Sequence, residues 1–354
     1  MPEPDLLILR PEGLYCPPGD FFIDPMRPVA RAVITHAHAD HARRGHGAYL
    51  AAATGVPVLR ARLGDIKLQP LDYGEAVSVG GVRVSLHPAG HVLGSAQVRL
   101  EHAGRVWVAS GDYFLSGHAG DANPTCAPFE PQRCDVFITE STFGLPVYRW
   151  RPQVEVLADI NAWWHANADA GRTSVLRAYS LGKAQRLLAG VDATIGPLVV
   201  HAGVHAMNQA YRAAGVALPQ TVRLDGADSS TLQRALVVVP PGAGSDDLAR
   251  APGACREAFA SGWMQVRSTR RRQGLDRGFA LSDHADWPGL QRAIAATGAQ
   301  RVIVTHGQEA AMVRWLRQQG LWADSFGNGF GGIDDATAAA RSAPVTAPIA
   351  HGSC

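Results

Sequence analysis

The sequence of 354 residues has few cysteines, almost no lysine and no long run of apolar residues. Its five cysteines are scattered and form no C-x-x-C pair, which argues against a disulfide framework and against a zinc ribbon held by thiolates. A metal bound here would therefore have nitrogen and oxygen ligands. Because we find neither a membrane-spanning run nor a signal-like N-terminus, we expect a cytoplasmic globular protein with no membrane partner.

The charge balance points to no class of partner. Hydrophobic residues make up 46% and charged residues 18% of a chain whose formal net charge is +2, as in a globular protein of about two domains. Of the 33 basic residues only Lys67 and Lys183 are lysines. Arginine suits phosphate recognition, but a chain rich in Ala and Arg equally reflects a GC-rich coding sequence.

The two halves of the chain differ in their apolar patterns. From Leu6 to Phe114 short β-like runs are separated by Gly, Pro, Asp and Asn, whereas from Pro152 to Gln318 helix-like stretches alternate with apolar strands. That alternation predicts βαβ units and an α/β fold. The helix-like stretches cover residues 152–170, 181–190, 203–214, 287–296 and 308–318. The small and polar residues 333–354 predict a flexible C-terminal tail.

A dense cluster of metal-ligand residues follows a β-branched strand in AVITHAHADHARRGH. His36, His38, Asp40 and His41 lie within six residues, and a sharp loop after a strand can turn such side chains toward one point. The alternative is a solvated polar loop. The H-x-H-x-D-H spacing favours a metal site.

Two further candidates follow strands of their own. His91 lies in HPAGHVLGS between two glycines, and Asp112 follows Gly111 in VWVASGDYF. The glycines permit tight turns beside both residues. Each is weak evidence alone, but both suit the same nitrogen and oxygen site.

In their order, these residues resemble the ligand set of the metallo-β-lactamase fold. The next candidate ligand, His306 in RVIVTHG, lies 194 residues after Asp112 (306 − 112). Such a gap implies an inserted domain, which resembles the β-CASP cap of the nucleases that include Artemis and the mRNA 3′-end processing endonuclease. The resemblance implies an αββα sandwich formed by residues 1–145 and 280–332, with an α/β cap over residues 146–279.

Four later motifs carry the same resemblance. They are ITESTFG with Glu140, SLGKAQRLL with Lys183, ALSDHADW with His284, and VTHG with His306. Together with ASGWM, they look most like the bacterial DNA-ligase-associated exonuclease family. That family is linked by gene neighbourhood to an ATP-dependent DNA ligase and a helicase, which makes these the implied partners.

The resemblance also implies the role of each residue in a nuclease that hydrolyses phosphodiesters. One divalent ion, zinc or alternatively manganese, is expected at three of the histidines, a second ion is expected at Asp40, His41 and His306, and Asp112 is expected to bridge the two ions. His284 is the expected proton donor, Glu140 orients it, and Asp40 is counted with them as essential for catalysis. Asp24 in FFIDP is expected to fix the loop that carries the ligands. The residues of the first ion are His36, His38 and His91.

The contacts with nucleic acid are less specific. The basic run RSTRRRQGLDR contains Arg270, Arg271 and Arg272 and could follow a phosphate backbone, although a solvated loop is an equal alternative. Arg149, between two aromatic residues, and Lys183, at a helix start, are the other candidates. The family resemblance makes DNA the expected substrate. RNA is the alternative, because His306 occupies a position that is usually apolar in the DNA-specific eukaryotic branch.

Two other functions remain open from the sequence. A small-molecule hydrolase of the same fold could act on a thioester, a lactone or a β-lactam with the same metals. A non-catalytic scaffold could keep the architecture and bind nucleic acid. The long gap and the Glu140 and His284 motifs argue against the first, and the complete ligand set argues against the second.

Overall fold

The computed structural model describes residues 4–118, 121, 123–244, 255–266 and 276–326. Within them the chain forms three β-sheets with helices packed against them, so the predicted α/β class is confirmed. None of the helices described is long and apolar enough to cross a membrane.

The first sheet is built from the N-terminal strands β1–β6 in sequential order. β1, β2 and β3 pair antiparallel, and the pairs from β3 to β6 are parallel. Helix α1, Val56–Leu63, connects the last two strands. The strands are Ile8–Arg10, Gly13–Cys16, Phe21–Ile23, Arg31–Val33, Ala48–Ala52 and Leu68–Leu71.

The second sheet has the strand order β19-β18-β11-β10-β9-β8-β7. Its strands are Ala76–Val79, Val82–Pro88, Ala96–His102, Arg105–Ala109, Val136–Ser141, Arg301–Gly307 and Trp322–Ser325. β18 pairs parallel with β11 in a register that places Ile303 opposite Ile138. A strand from the C-terminal part of the chain therefore completes a sheet begun by residues 76–141.

Apolar cores join these sheets to each other and to helices. One core contains Leu14 and Ile23 of the first sheet together with Leu86 and Ile303 of the second. The other face of the second sheet packs against helices α6 (Trp287–Thr297) and α7 (Glu309–Gln318). The other face of the first sheet packs against α1 and α4 (Ala202–Ala213). The layers thus run helices, sheet, sheet, helices.

The third sheet is entirely parallel and has the order β14-β13-β15-β12-β16-β17. Its strands are Ser174–Arg177, Leu198–Val200, Val222–Arg223, Leu236–Val239, Arg256–Ala260 and Arg277–Phe279. Helices α2, Gln153–Asp169, and α3, Lys183–Gly190, cover one face, where Trp164 is fully buried. Leu232 of the short α5, Ser229–Leu232, packs on the other face.

Four of the five predicted helices begin and end within one residue of the helix-like stretches in the sequence, and α3 starts two residues later than its stretch. The strand Ala48–Ala52 and helix α1 were missed. In α1 the buried residues are Val58, Leu59 and Leu63, a helical spacing, but Val56 and Val58 alternate as in a strand. A proline in the first turn, which is favourable in a helix, also looks like a break in the sequence.

Candidate metal centre

Asp24 organises the loop that follows β4. Its Oδ1 accepts a hydrogen bond of 2.8 Å from the backbone nitrogen of Thr35, and its Oδ2 accepts from the Thr35 hydroxyl and from His41 Nδ1, the latter at 2.7 Å. One carboxylate therefore fixes both ends of the histidine-rich segment.

Three imidazole rings converge beside this loop, and we call His36, His38 and His91 the three-histidine group. His38 Nδ1 lies 3.1 Å from the Nε2 atoms of both His36 and His91. The Oδ2 atom of Asp112 lies 3.4 Å from His36 Nε2 and 3.8 Å from His91 Nε2. Four donor atoms from segments far apart in the sequence thus face one point.

The contacts of the outer ring nitrogens determine which nitrogen of each histidine carries the hydrogen. His38 Nε2 contacts the carbonyl oxygen of Leu181 at 3.1 Å and His91 Nδ1 contacts that of Asp283 at 2.7 Å. His36 Nδ1 lies 3.1 Å from the Thr35 hydroxyl, which already donates its proton to Asp24. Because a carbonyl only accepts, and the Thr35 oxygen is left to accept, each outer nitrogen carries the hydrogen.

Each inner nitrogen of the three-histidine group therefore presents a lone pair. Lone pairs that face one another at 3.1 Å repel, and a cation between them turns this repulsion into coordination. In a tetrahedral site with bonds of about 2.0 Å to nitrogen, ligand atoms are separated by roughly 3.3 Å. The observed spacing fits a divalent metal such as zinc.

A second group of predicted ligands lies on the other side of Asp112. His41 Nε2 is 3.4 Å from Asp112 Oδ2 and 3.7 Å from Asp40 Oδ2. The His306 ring centroid is 5.6 Å from that of His41, at the end of β18. We call Asp40, His41 and His306 the second group. Asp112 contacts both groups through the same oxygen.

His306 has a left-handed backbone, φ +54°, and is followed by Gly307 at φ +74°. A Cβ atom on Gly307 would lie 2.5 Å from the carbonyl oxygen of Ser141 and from Thr142 Cα. Only glycine fits this close approach of β18 to β11. The turn thereby presents the His306 ring next to His41.

Burial and neighbouring charges shift the pKa values of the centre. Burial lowers the pKa of His36 and of His91 well below the usual value, and neighbouring histidines lower it further. Although burial opposes its charge, the pKa of His41 is raised well above the usual value by the carboxylates of Asp112, Asp40 and Asp24. Although burial raises it, the pKa of Asp112 is held well below the usual value, chiefly by His41. At neutral pH His36, His91 and Asp112 thus have the protonation states that metal binding requires.

Glu140 and His284 form a buried pair beside the three-histidine group. Glu140 Oε2 lies 2.9 Å from His284 Nδ1 and accepts a 2.6 Å hydrogen bond from Thr142 Oγ1. Its Oε1 accepts a 2.7 Å bond from the backbone nitrogen of Tyr113. The His284 and His91 ring centroids are 4.6 Å apart. These contacts place a carboxylate-supported imidazole next to the candidate ligands.

Tyr148 and Trp150, the aromatic residues on either side of Arg149, pack against other side chains, and Trp150 also contacts His284. Tyr148 is buried, and the indole nitrogen of Trp150 donates to the carbonyl oxygen of His284 at 2.9 Å. Both rings pack with Phe143. Arg149 is exposed, with a 3.3 Å bond from its Nε to a backbone oxygen. The buried Tyr148 ring is therefore not exposed for stacking on a base beside Arg149.

The prediction that Lys183 contacts phosphate requires a correction. Its side chain is 5% exposed and its Nζ lies 2.8 Å from Asp283 Oδ2, so its ammonium group is already engaged. A lysine at a helix start looks the same in sequence whether or not a distant carboxylate pairs with it. Arg270, Arg271 and Arg272 lie outside the described residues.

A groove opens beside the centre, and two of its basic residues, Arg43 and Arg62, were missed by the sequence argument. Arg43 and Arg62 line it together with Tyr179 and Ser180 and with several residues of the site. The signal for Arg43 was available, because it follows the histidine motif directly. The residues of the site that line the groove are His38, Asp40, His91, Lys183, Asp283 and His284.

Comparison with known proteins identifies partial relatives. No family model matches the chain. A protein named probable DNA ligase from Opitutus terrae is 33% identical over 318 residues, which are 89% of this chain and 30% of that protein. The endoribonuclease YSH1 of Yarrowia lipolytica is 31% identical over 126 residues, 36% of this chain and 15% of that protein, and YSH1 of Schizosaccharomyces pombe is 32% identical over 126 residues, 36% of this chain and 16% of that protein.

A solved structure shares the fold. It is a protein of unknown function from Enterococcus faecalis V583, with a TM-score of 0.55, 13% identity, and coverage of 83% of this chain and 78% of that one. The chain spans less than a third of the length of the curated relatives named above. The endoribonuclease matches support the β-CASP metallo-β-lactamase family as the group of nucleases to which the motifs point.

Proposed function

We propose that the chain is a metal-dependent phosphodiesterase of the capped metallo-β-lactamase type, acting as an exonuclease on DNA. The observation that carries this proposal is the His284–Glu140 pair beside a convergent set of imidazole lone pairs. A small-molecule hydrolase needs the metals but has no evident use for such a pair. The layers of the fold support the division into residues 1–145 and 280–332, capped by residues 146–279 that contain the whole third sheet.

The residues fit two divalent ions, zinc or manganese. The three-histidine group would hold one, the second group would hold the other, and Asp112 would contribute to both. When bound, such ions lower the pKa of water and neutralise charge on a scissile phosphate. Asp24 contributes by holding His41 and, through Thr35, His36 in the required orientation.

His284 would donate the proton to the leaving oxygen. Glu140 is held by Thr142, by the backbone of Tyr113 and by His284 Nδ1, so its carboxylate stabilises a positively charged ring and fixes its orientation. Trp150 anchors the backbone of His284 from the other side. The His284 ring is then directed by contacts at both its backbone and its side chain.

The groove supports a polyanionic substrate. Arg43 is exposed at its edge, and Arg62 donates hydrogen bonds to the backbone oxygens of Ala37 and Ala42 in the ligand loop. These two cations lie where a phosphodiester backbone would approach His38 and Asp40. Arg149 and the basic run that includes Arg270, Arg271 and Arg272 remain further candidates for contacts with the phosphate backbone.

The preference for DNA is supported by the match to a protein named DNA ligase. A segment related to almost the whole of this chain occupies 30% of that protein, whose name is probable DNA ligase. We therefore propose that the chain acts beside DNA ligation, with an ATP-dependent ligase and a helicase as functional partners. A cytoplasmic location follows from that role.

A second candidate function is an endoribonuclease. It is favoured by the 126-residue similarity to proteins named endoribonuclease in several yeasts. The two candidates share the metal centre and differ in substrate and in the position of the cut.

One gel separates these functions. Single- and double-stranded DNA and RNA, labelled at the 5′ or the 3′ end, are incubated with the protein in Zn²⁺ or Mn²⁺, and a chelator-treated sample serves as the control. We expect a ladder of progressively shortened DNA that disappears with chelator. Cuts within RNA alone would favour the endoribonuclease, and turnover of nitrocefin or a thioester without nucleic acid cleavage would contradict both. A chain that binds nucleic acid but holds no metal would be a scaffold.

A further inference from the structure

Two ligand rings of the three-histidine group are held by carbonyls that come from distant segments. Leu181, whose oxygen contacts His38, is 143 residues further along the chain, and Asp283, whose oxygen contacts His91, is 192 residues further. Neither carbonyl belongs to the first sheet or to the loop that carries His38. The direction of the lone pairs therefore depends on where these two segments lie.

A buried ion cluster fixes the two segments to each other. Asp283 Oδ2 lies 2.8 Å from Lys183 Nζ, and Asp283 Oδ1 lies 3.2 Å from an Nη atom of Arg186. The same guanidinium donates a 2.6 Å bond to the carbonyl oxygen of Ser282. All three charged side chains are at most 5% exposed. Lys183 is only two residues from Leu181, so the cluster joins both carbonyl-bearing segments.

The packing around Leu181 leaves little freedom. Gly182 has φ +89°, and a Cβ atom there would lie 2.3 Å from Val92 Cγ1, directly beside His91. Gln185 accepts a 2.8 Å bond from the Gly182 nitrogen and donates a 3.0 Å bond to the carbonyl oxygen of Ser180. The start of helix α3 therefore packs closely against the loop that carries His91.

We propose that the Asp283–Lys183–Arg186 cluster is a positioning device for metal binding. It holds the carbonyls of Leu181 and Asp283 so that the three-histidine group directs its lone pairs to one ion. The inference rests on the metal centre of the proposed function. It also gives Lys183 a role at the wall of the groove: its ammonium group and the guanidinium group of Arg186 both pair with the buried carboxylate of Asp283, whose backbone carbonyl orients His91.

The test measures metal affinity and not turnover. Zn²⁺ is titrated into the metal-free protein against a chromophoric chelator, which resolves the affinities of two ions. In Asp283→Asn the backbone carbonyl remains but the anion is lost, and we expect one ion to bind about 10- to 100-fold more weakly while the other is unchanged, the usual cost of losing support behind a ligand. Lys183→Met should weaken the same ion by less, because Arg186 still pairs with Asp283.

The control is Asp5→Asn, which removes the carboxylate bound by both terminal nitrogens of Arg301 at 2.5 and 3.0 Å, away from the centre. It should leave both affinities unchanged. Thermal unfolding of each metal-free variant reports the purely structural effect. If Asp283→Asn does not fold, Lys183→Met decides the question.

Three outcomes are distinguishable. Weakening of one ion supports the positioning role. In a folded variant, unchanged affinities, or an equal loss for both ions, would overturn it and leave the cluster a structural element. If the unmodified protein bound no ion, the proposed function itself would fall, whereas two tightly bound ions in both the unmodified protein and the variant would overturn this inference alone.

Discussion

The two halves of the candidate centre are held in place in different ways. In the three-histidine group the closest donor atoms are 3.1 Å apart, and two of the rings are oriented by carbonyls more than 140 residues away. In the second group His41 is oriented by Asp24, only 17 residues before it, and its Nε2 lies 3.4 and 3.7 Å from the nearest carboxylates. The geometry of the three-histidine group therefore depends on the packing of the distant segments that carry Leu181 and Asp283. The geometry of the second group depends on the local loop after β4. One centre can therefore be weakened from two independent directions.

The largest effect is expected at the residue that both halves share. Asp112→Ala removes the oxygen that lies 3.4 Å from both His36 and His41, so we expect both ions to be lost and nucleic acid cleavage to be abolished. Elemental analysis and the end-label assay measure this. Asp192→Ala, at an exposed carboxylate bonded only locally to Thr194, is the control. A folded Asp112→Ala protein with two ions and full activity would refute the two-metal assignment.

A smaller effect is expected at His284, which is proposed to transfer a proton and not to bind a metal ion. His284→Ala should keep both ions and bind DNA, yet cleave about 10²- to 10⁴-fold more slowly, the usual contribution of a general acid. A nitrophenyl phosphodiester, whose leaving group scarcely needs a proton, should restore a nearly normal rate. Glu140→Ala should show the same selective recovery, because its carboxylate holds His284 Nδ1 at 2.9 Å. Equal impairment on both substrates would exclude the acid role.

Asp24→Asn tests whether the two groups of candidate ligands are supported by different parts of the molecule. The amide keeps the volume and can still accept from Thr35, but it removes the charge that accepts from His41 Nδ1 at 2.7 Å. The ion of the second group should therefore bind about 10- to 100-fold more weakly, and the ion of the three-histidine group, where Asp24 acts on His36 only through Thr35, should be affected much less. The two-step Zn²⁺ titration should show that this is the ion which Asp283→Asn leaves intact. If both variants weakened the same ion, the two halves would not be independently supported.

The smallest effect is expected for Trp150→Phe. This change removes the 2.9 Å hydrogen bond to the His284 carbonyl and keeps an aromatic ring beside Phe143. Loss of one such bond is worth about 0.5–1.5 kcal/mol, so kcat should fall by roughly 2- to 12-fold with metal content unchanged. A raised KM for single-stranded DNA at constant kcat would instead indicate that Trp150 stacks on a base.

The ligand residues could be proposed from sequence because their chemistry is local. His36, His38, Asp40 and His41 follow one strand, and the structure places His91, Asp112 and His306 around them. Helix α2 over the third sheet and helix α4 against the first sheet were equally accessible, because their apolar spacing is regular. Patterns within short windows were enough for these helices and for the H-x-H-x-D-H cluster, whereas His306 and the roles of His284 and Glu140 were implied by the family resemblance.

The contacts between segments that are far apart in the sequence could not be predicted. No local signal pairs Lys183 with Asp283 or directs the Leu181 carbonyl to His38, since these depend on the close approach of segments about 100 to 140 residues apart. The same limit applies to Trp150, whose indole nitrogen finds a backbone oxygen 134 residues away. Its contact with His284 follows only from tertiary packing.

The placement of β18 beside β11 has a consequence for synthesis on the ribosome. His306 follows Asp112 by 194 residues (306 − 112), and at about 5 to 20 residues per second this stretch takes roughly 10 to 40 s to translate. For that interval the nascent chain carries the histidine loop, His91 and Asp112 without β18, the strand that pairs with β11 in the second sheet and carries His306. The early ligands must then wait with an open sheet edge at β11, a natural place for a chaperone or for mispairing to act.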